Sequence, residues 1–378
     1  MECDVKAPVR ETVPDWEDLL ARAVSGASVS LNFQPIVDVS QRAIVGYEAL
    51  ARFDGPIDLT PDRWFGAARS AGLGSELELA VLHKSLQARA DLPPSCFLSV
   101  NVEPDALVHP AVSTLLLAQA SLEGLVIELT EHVDAERVVG LQELLEQIRF
   151  RGAKVAVDDA GAGYAGLKQI LELRPDYLKI DRALVADLDR DDAHAALVDM
   201  LGAFASRLDA WLIAEGVERP GELDRLRRLR VPLVQGYLLG RPSPTFGGMD
   251  PAGAGVLAAT PVIDEDMATI RTILETATWV PEDEVDAAHR MLAERPDVEV
   301  VILVDGDRRP VGCVDRTTRP GELRTVWRAW AGTPVRDLAR RIGTRPAEER
   351  FAATVCCDAA GRLLGVVRVE RLLFELSA

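Results

Sequence analysis

Between residues 30 and 240, short runs of β-branched and apolar residues alternate with longer amphipathic stretches, the pattern of parallel strands joined by helical crossovers. Eight runs qualify as strands: 31–37 (LNFQPIV), 43–49 (AIVGYEA), 96–101 (CFLSVN), 125–129 (LVIEL), 153–157 (AKVAV), 176–180 (DYLKI), 211–214 (WLIA) and 232–235 (PLVQ). Helical periodicity lies between most of them, for example over 136–149 and 192–207, and one further helix is expected over Trp16 to Val24. Eight strands with intervening helices predict a (β/α)8 barrel of the TIM type, an α/β fold. Residues 38–42 (DVSQR) are too few for a crossover but enough for a hairpin, so the first strand is expected to run antiparallel to the second.

After residue 240 the texture changes, because Pro242, Pro244, Gly247, Gly248, Pro251, Gly253 and Gly255 crowd a stretch of weak periodicity. The expected division is an N-terminal segment 1–25, a barrel 26–245, a linker 246–259 and a smaller α+β domain 260–378. Within that last domain, 298–315 and 353–373 both read as strand, Asp-containing turn, strand, which suggests an internal duplication. Helix candidates precede each hairpin, at Val285 to Glu294 and Thr333 to Arg341, and Val369 to Leu376 follows the second. Gly306 and Gly361 are expected to supply the positive φ that the two turns need.

The chain has 378 residues and 48% hydrophobic composition, enough for more than one core. Its formal charge of −18 opposes binding to a nucleic-acid duplex. No apolar run reaches the ~20 residues of a membrane span, and the start, Met1-Glu2-Cys3-Asp4, lacks a signal-peptide pattern. Five scattered cysteines without paired spacing suit a reducing cytoplasm and small buried thiols rather than a zinc site.

In barrel enzymes, reactive groups stand at the carboxyl ends of the strands. There this sequence places Glu48, Asn101, Glu128, Asp158 with Asp159, Lys179 with Asp181, Glu215 and Gln235, and the reversed first strand adds Gln34. A lone polar residue at a strand end is ordinarily a helix cap or loop hydrogen bond. Five or more carboxylates around one rim repel each other, and divalent cations resolve that conflict. An oxygen-rich set with one amide and no His or Cys points to Mg²⁺ or Mn²⁺.

The series FQPIVD, YEALAR, SVN, IELTEH, VDDAGAGYAGL, LKIDR, IAEGVE and QGYLLGRP, spread in order over residues 33–242, resembles the EAL phosphodiesterase domain. The resemblance implies hydrolysis of cyclic di-GMP to linear pGpG with two divalent cations per active site. It implies Glu48, Asn101, Glu128 and Asp158 as ligands of the first cation, and Asp158, Asp159 and Glu215 around the second. Lys179 would face the attacking water and the scissile phosphate, with Lys179 or Glu215 managing the proton. Substrate contacts would come from Gln34 near a guanine, Leu50, Arg52 on the other phosphate, and Asp181 and Gln235, which also support the metal site. Glu131 would anchor the loop after strand five, a loop tied in the family to dimerisation, so a homodimer is expected. This sequence departs from the pattern at Ala160, Ala162 and Ala165, where Phe, Thr and Ser are common, and at Glu103, which replaces a Ser. The alternative is a receptor that binds cyclic di-GMP without cleaving it, and a cyclase finds no support because no glycine-rich cyclase signature is present. The C-terminal domain resembles a tandem CBS pair, which implies a regulatory role and an adenine nucleotide in the cleft between halves. A PAS-like sensor and an unrelated α+β cap are the other readings of that region.

Overall fold

The structure, a computed structural model, describes residues 15–55, 59–130, 138–160, 164–259, 269–345, 349–358 and 361–377. Eight strands close a barrel in sequence order: β1 Val29–Asp38, β2 Ala43–Phe53, β3 Phe97–Asn101, β4 Leu125–Thr130, β5 Lys154–Asp158, β6 Tyr177–Ile180, β7 Trp211–Ala214 and β8 Leu233–Gln235. All eight overlap the expected runs. β1 pairs antiparallel with both β2 and β8, and every other pair in the barrel is parallel. The reversal is fixed by Asp38, whose buried Oδ1 accepts from the backbone N–H groups of Ser40 (2.7 Å) and Gln41 (2.8 Å). That carboxylate satisfies turn donors that the short connection leaves without a ladder partner.

The barrel is filled by a bottom layer of Ile36, Val45, Phe97, Val126, Ala156, Tyr177, Ile213 and Leu233. Gly46 makes room for it, since a Cβ there would stand 2.6 Å from the Phe97 ring. Outside, the strands' other face packs on the helices through a large cluster that includes Leu98, Ile127, Val157, Leu178 and Leu212. The helix Trp16–Val24 is as expected and joins a satellite core, where Trp16 meets Trp64 edge-on at 5.5 Å and Phe53 stacks on Trp64 at 4.7 Å.

The expected linker is a correction: 246–259 is part of the barrel's body. Ser243 bridges to Phe33, Phe246 packs on the Phe33 ring at 4.2 Å, and Pro251–Ala259 is a helix. Gly253 in that helix lies so close to the backbone that a Cβ would come within 2.5 Å of the Leu238 carbonyl oxygen. In this stretch Gly253 serves close approach and Pro251 begins the helix.

Beyond it, two similar units follow. The first is β9 Trp279–Pro281, a helix Val285–Glu294, β10 Val300–Val304 and β11 Pro310–Asp315. The second is β12 Trp327–Trp330, a helix Val335–Thr344, β13 Thr354–Cys357, β14 Leu363–Val367 and a helix Val369–Ser377. Each makes a three-stranded sheet with its first two strands parallel and its last antiparallel. Ile302 and Val304 of one sheet pack with Val355, Cys357, Leu363 and Val366 of the other. In the turns, Asp305 Oδ1 accepts from the Arg309 N–H (2.7 Å) and Asp358 Oδ1 from the Arg362 N–H (2.8 Å), so the aspartates do the same work twice. Gly361 has the expected positive φ of +82°, but in the first turn the left-handed residue is Arg308 (φ +63°), not Gly306. Both left-handed residues stand three places after the turn aspartate.

This module sits against the barrel face away from the strands' carboxyl ends. Arg341 pairs with Asp209, Arg309 with Glu123 (3.7 Å), Arg362 donates to Ser95, and Trp330 meets Trp211 at 5.9 Å. Ser95, Glu123 and Asp209 precede β3, β4 and β7.

Candidate functional site

Side chains along a strand alternate in direction, so on β3 to β8 the residue two places on from the bottom-layer member points into the barrel one level higher. Counting two from Phe97, Val126, Ala156, Tyr177, Ile213 and Leu233 gives Ser99, Glu128, Asp158, Lys179, Glu215 and Gln235. On the reversed strand, Gln34 lies two before Ile36 and is in register with Glu48. The lower layer is apolar and the upper layer almost wholly polar. The site is therefore built by parity, on strands rather than loops.

Lys179 stands at its centre and is fully buried. Its Nζ lies 2.5 Å from Glu215 Oε1, 2.6 Å from Glu128 Oε2, 3.5 Å from Asp158 Oδ1 and 3.6 Å from Glu48 Oε1. The Glu215 contact is a close ion pair. Glu48 is held on both oxygens, by Asn101 Nδ2 at 2.8 Å and Gln235 Nε2 at 2.6 Å. Gln34 accepts from Gln235 (3.1 Å) and donates to the Gly240 carbonyl (3.1 Å), which locks the amide orientation. Ser99 donates to Glu128. The parity that exposes Glu128 and Asn101 could have found Ser99, a member that sequence reasoning missed.

One ammonium cannot neutralise four carboxylates. Burial pushes Glu128 up to about 8, with Lys179 pulling against it and Glu48 and Asp158 adding to it. Burial likewise holds Glu215 well above the usual carboxylate range despite Lys179. Lys179 is itself pulled down by burial, but the four acids more than reverse this and keep it well above an ordinary lysine. Among the described residues the carboxylates do not close on a common point as a finished ligand cage; they close on the ammonium. The donor set is nevertheless all oxygen, with four carboxylates around one ammonium. That chemistry fits hard divalent cations.

The remaining expected residues are placed as follows. Asp159 follows Asp158 in a left-handed conformation (φ +55°), its N–H donating to Asp158 Oδ1 at 3.0 Å. Leu50 and Arg52 continue the Glu48 parity up β2, and the Arg52 guanidinium donates to the Ala51 carbonyl at 2.8 Å. Asp181 caps the short helix Arg182–Val185, its Oδ1 accepting from the Ala183 N–H at 2.7 Å, and among the described residues it makes no hydrogen bond or ion pair with the carboxylate cluster. Ala160 is buried, and its N–H donates to the Lys179 carbonyl at 2.8 Å. Glu103 pairs with Arg69. Glu131 and Ala162 lie outside the described residues, as does the Ala165 side chain.

Comparison with known proteins bears on this site. Cyclic di-GMP phosphodiesterase NbdA of Pseudomonas aeruginosa is 31% identical over 240 residues, which is 60% of this chain and 30% of NbdA. The chain thus spans about a third of the length of such curated relatives. Among solved structures, the MucR phosphodiesterase of Pseudomonas aeruginosa in complex with c-di-GMP superposes with a TM-score of 0.55 at 28% identity, covering 61% of this chain and 98% of that one. BlrP1 of Klebsiella pneumoniae, solved with calcium and cy-diGMP, gives 0.53 at 29% identity over 59% of this chain and 58% of its own. A manganese complex of the same protein is also known. The profile of the EAL domain matches residues 17–242, which takes in the helix at Trp16–Val24 from its second residue and all eight strands, and on that match the chain belongs to the EAL-domain family.

Proposed function

We propose that the chain hydrolyses cyclic di-GMP to linear pGpG at the carboxyl rim of its barrel, using two divalent cations, magnesium or manganese. The observation that carries this reading is the buried layer of Glu48, Glu128, Asp158 and Glu215 around Lys179, four acids to one base. Glu48, Asn101, Glu128 and Asp158 would hold one cation, and Asp158, Asp159 and Glu215 the other. Such a pair polarises an attacking water and stabilises a departing oxygen. Lys179, fixed among the acids, would lose part of its carboxylate company to the cations and turn its charge to the scissile phosphate. Glu215, beside the Lys179 ammonium, would hold the water's proton. Arg52 would grip the second phosphate, Gln34 and Leu50 would meet the guanine side, and Gln235 and Asp181 would orient neighbouring groups. Glu131 would anchor the loop after β5, and a dimer through the barrel follows from the same reading. Incubation with cyclic di-GMP and Mg²⁺ or Mn²⁺ should give pGpG on chromatography, and Glu48→Ala should abolish it. No product with either metal refutes the proposal.

A second reading, a receptor that binds without cleaving, draws on Ala160, which brings no ring to the loop after β5. Calorimetry showing tight binding with metal, beside unchanged nucleotide, would select it. For the C-terminal module we propose a CBS-like regulatory pair, on the strength of the repeated strand, helix, strand, strand order. The CBS-like reading would place an adenine nucleotide in the cleft between its halves. That space, about 240 Å³, has Arg324 paired with Asp315 at 3.0 Å and Arg368 paired with Glu299 and Glu275.

A further inference from the structure

A second cavity, of about 300 Å³, lies between the module and the barrel face opposite the rim. Lys154, Arg174, Arg230 and Arg328 all line it, in a chain whose net charge is −18. Lys154 donates to the Tyr177 hydroxyl (3.3 Å) and Arg328 to the Pro310 carbonyl (2.7 Å). Among the described residues none of the four is in an ion pair. Of the acids on the wall, Asp209 is taken by Arg341, Asp176 accepts from the Val155 N–H (2.9 Å), and Asp199 is exposed. With Arg341 the wall carries five cations against three aspartates, an excess of positive charge that an entering anion would offset. The same cavity has an aromatic wall, the half-buried indoles of Trp211 and Trp330.

We propose that this cavity binds a nucleoside monophosphate, its phosphate among Lys154, Arg174, Arg230 and Arg328 and its base against the two indoles. The volume is at the lower end of ligand pockets, which suits one nucleotide rather than a dinucleotide. Arginine and lysine provide charge-assisted donors for phosphate oxygens, and indoles offer a flat face to a heterocycle. The binding site is separate from the rim: Lys154 and Trp211 begin β5 and β7, whose far ends lead to Asp158 and Glu215.

The test is calorimetric titration of the full chain, in chelator, with AMP and GMP, and with adenosine and inorganic phosphate as the two halves. At least one monophosphate is expected to bind, tenfold or more tightly than either half. Arg328→Ala and Arg230→Ala, each with unchanged circular dichroism, should weaken it at least tenfold, and Trp330→Ala should weaken it and reduce the accompanying tryptophan fluorescence change. Arg52→Ala at the rim should leave it unaltered. Absence of binding by both nucleotides, phosphate binding as tightly as the nucleotide, or loss on Arg52→Ala with retention in Arg328→Ala would each overturn the proposal.

Discussion

Glu78 lies buried in the helix Gly74–Ala88, beside Glu103 and Arg69, and Glu78→Gln should remove a pH dependence of stability. Burial first, and the Glu103 charge second, push its carboxyl from 4.5 up to about 8, with the Glu103 N–H and Arg69 only partly opposing them. Between those two values the folded state holds a proton that the unfolded chain has lost. Stability therefore falls as pH rises through this window. From about pH 5.5 to about pH 7.5 that single group costs on the order of 2–3 kcal/mol, taking 1.36 kcal/mol per unit of displacement. Glutamine keeps the shape and an acceptor for the Glu103 N–H but has no proton to lose. Urea unfolding of both proteins at the two pH values, followed by tryptophan fluorescence with Trp64 in the adjoining core, reads the difference directly. The wild type should lose that amount relative to the variant, every other titrating group being common to both. Stability curves that stay parallel across the window, within about 0.5 kcal/mol, would refute the reasoning.

Three further outcomes are expected. Lys179→Met should lower cyclic di-GMP hydrolysis by about 10²–10³-fold or more, as removal of a charge-stabilising group does, measured as pGpG formed per unit time at saturating metal. Chelation with EDTA should stop hydrolysis and re-addition of Mg²⁺ or Mn²⁺ should restore it, a chelator-resistant rate ruling out metal dependence. Gly236→Ala should destabilise the fold by about 3 kcal/mol or more, because its Cβ would stand 2.2 Å from the backbone N and O of Val217, and a denaturation midpoint within error of wild type would contradict it.

The barrel was legible because each strand is short, bounded and apolar, and because five residues between the first two runs admit only a hairpin. The rim was legible for a related reason: one polar residue at the end of each apolar run cannot be explained by the core. What the sequence hid was convergence. Nothing in the runs says that Glu215, Glu128, Asp158 and Glu48 meet on one ammonium, which depends on the barrel closing. Ser99 escaped because a serine inside an apolar run reads as neutral. The stretch 246–259 was misread since Pro and Gly report equally on flexibility and on close packing, and only the neighbours distinguish the two. Arg308 took the left-handed position expected of Gly306 because the Asp305 carboxylate, not the glycine, sets that turn.

Because β1 descends from the rim to the opposite face, the polypeptide enters the barrel beside its mouth, by way of the helix at Trp16–Val24, while the C-terminal module rests underneath. The helix Trp16–Val24 thus lies on the rim side of the barrel and the helix Val369–Ser377 on the far side. Crowding at the first helix would therefore obstruct traffic to the rim, whereas crowding at the last would disturb the docking of the module. Two fluorophores, one on the helix Trp16–Val24 and one on the helix Val369–Ser377, would report on detachment of the module through their energy transfer.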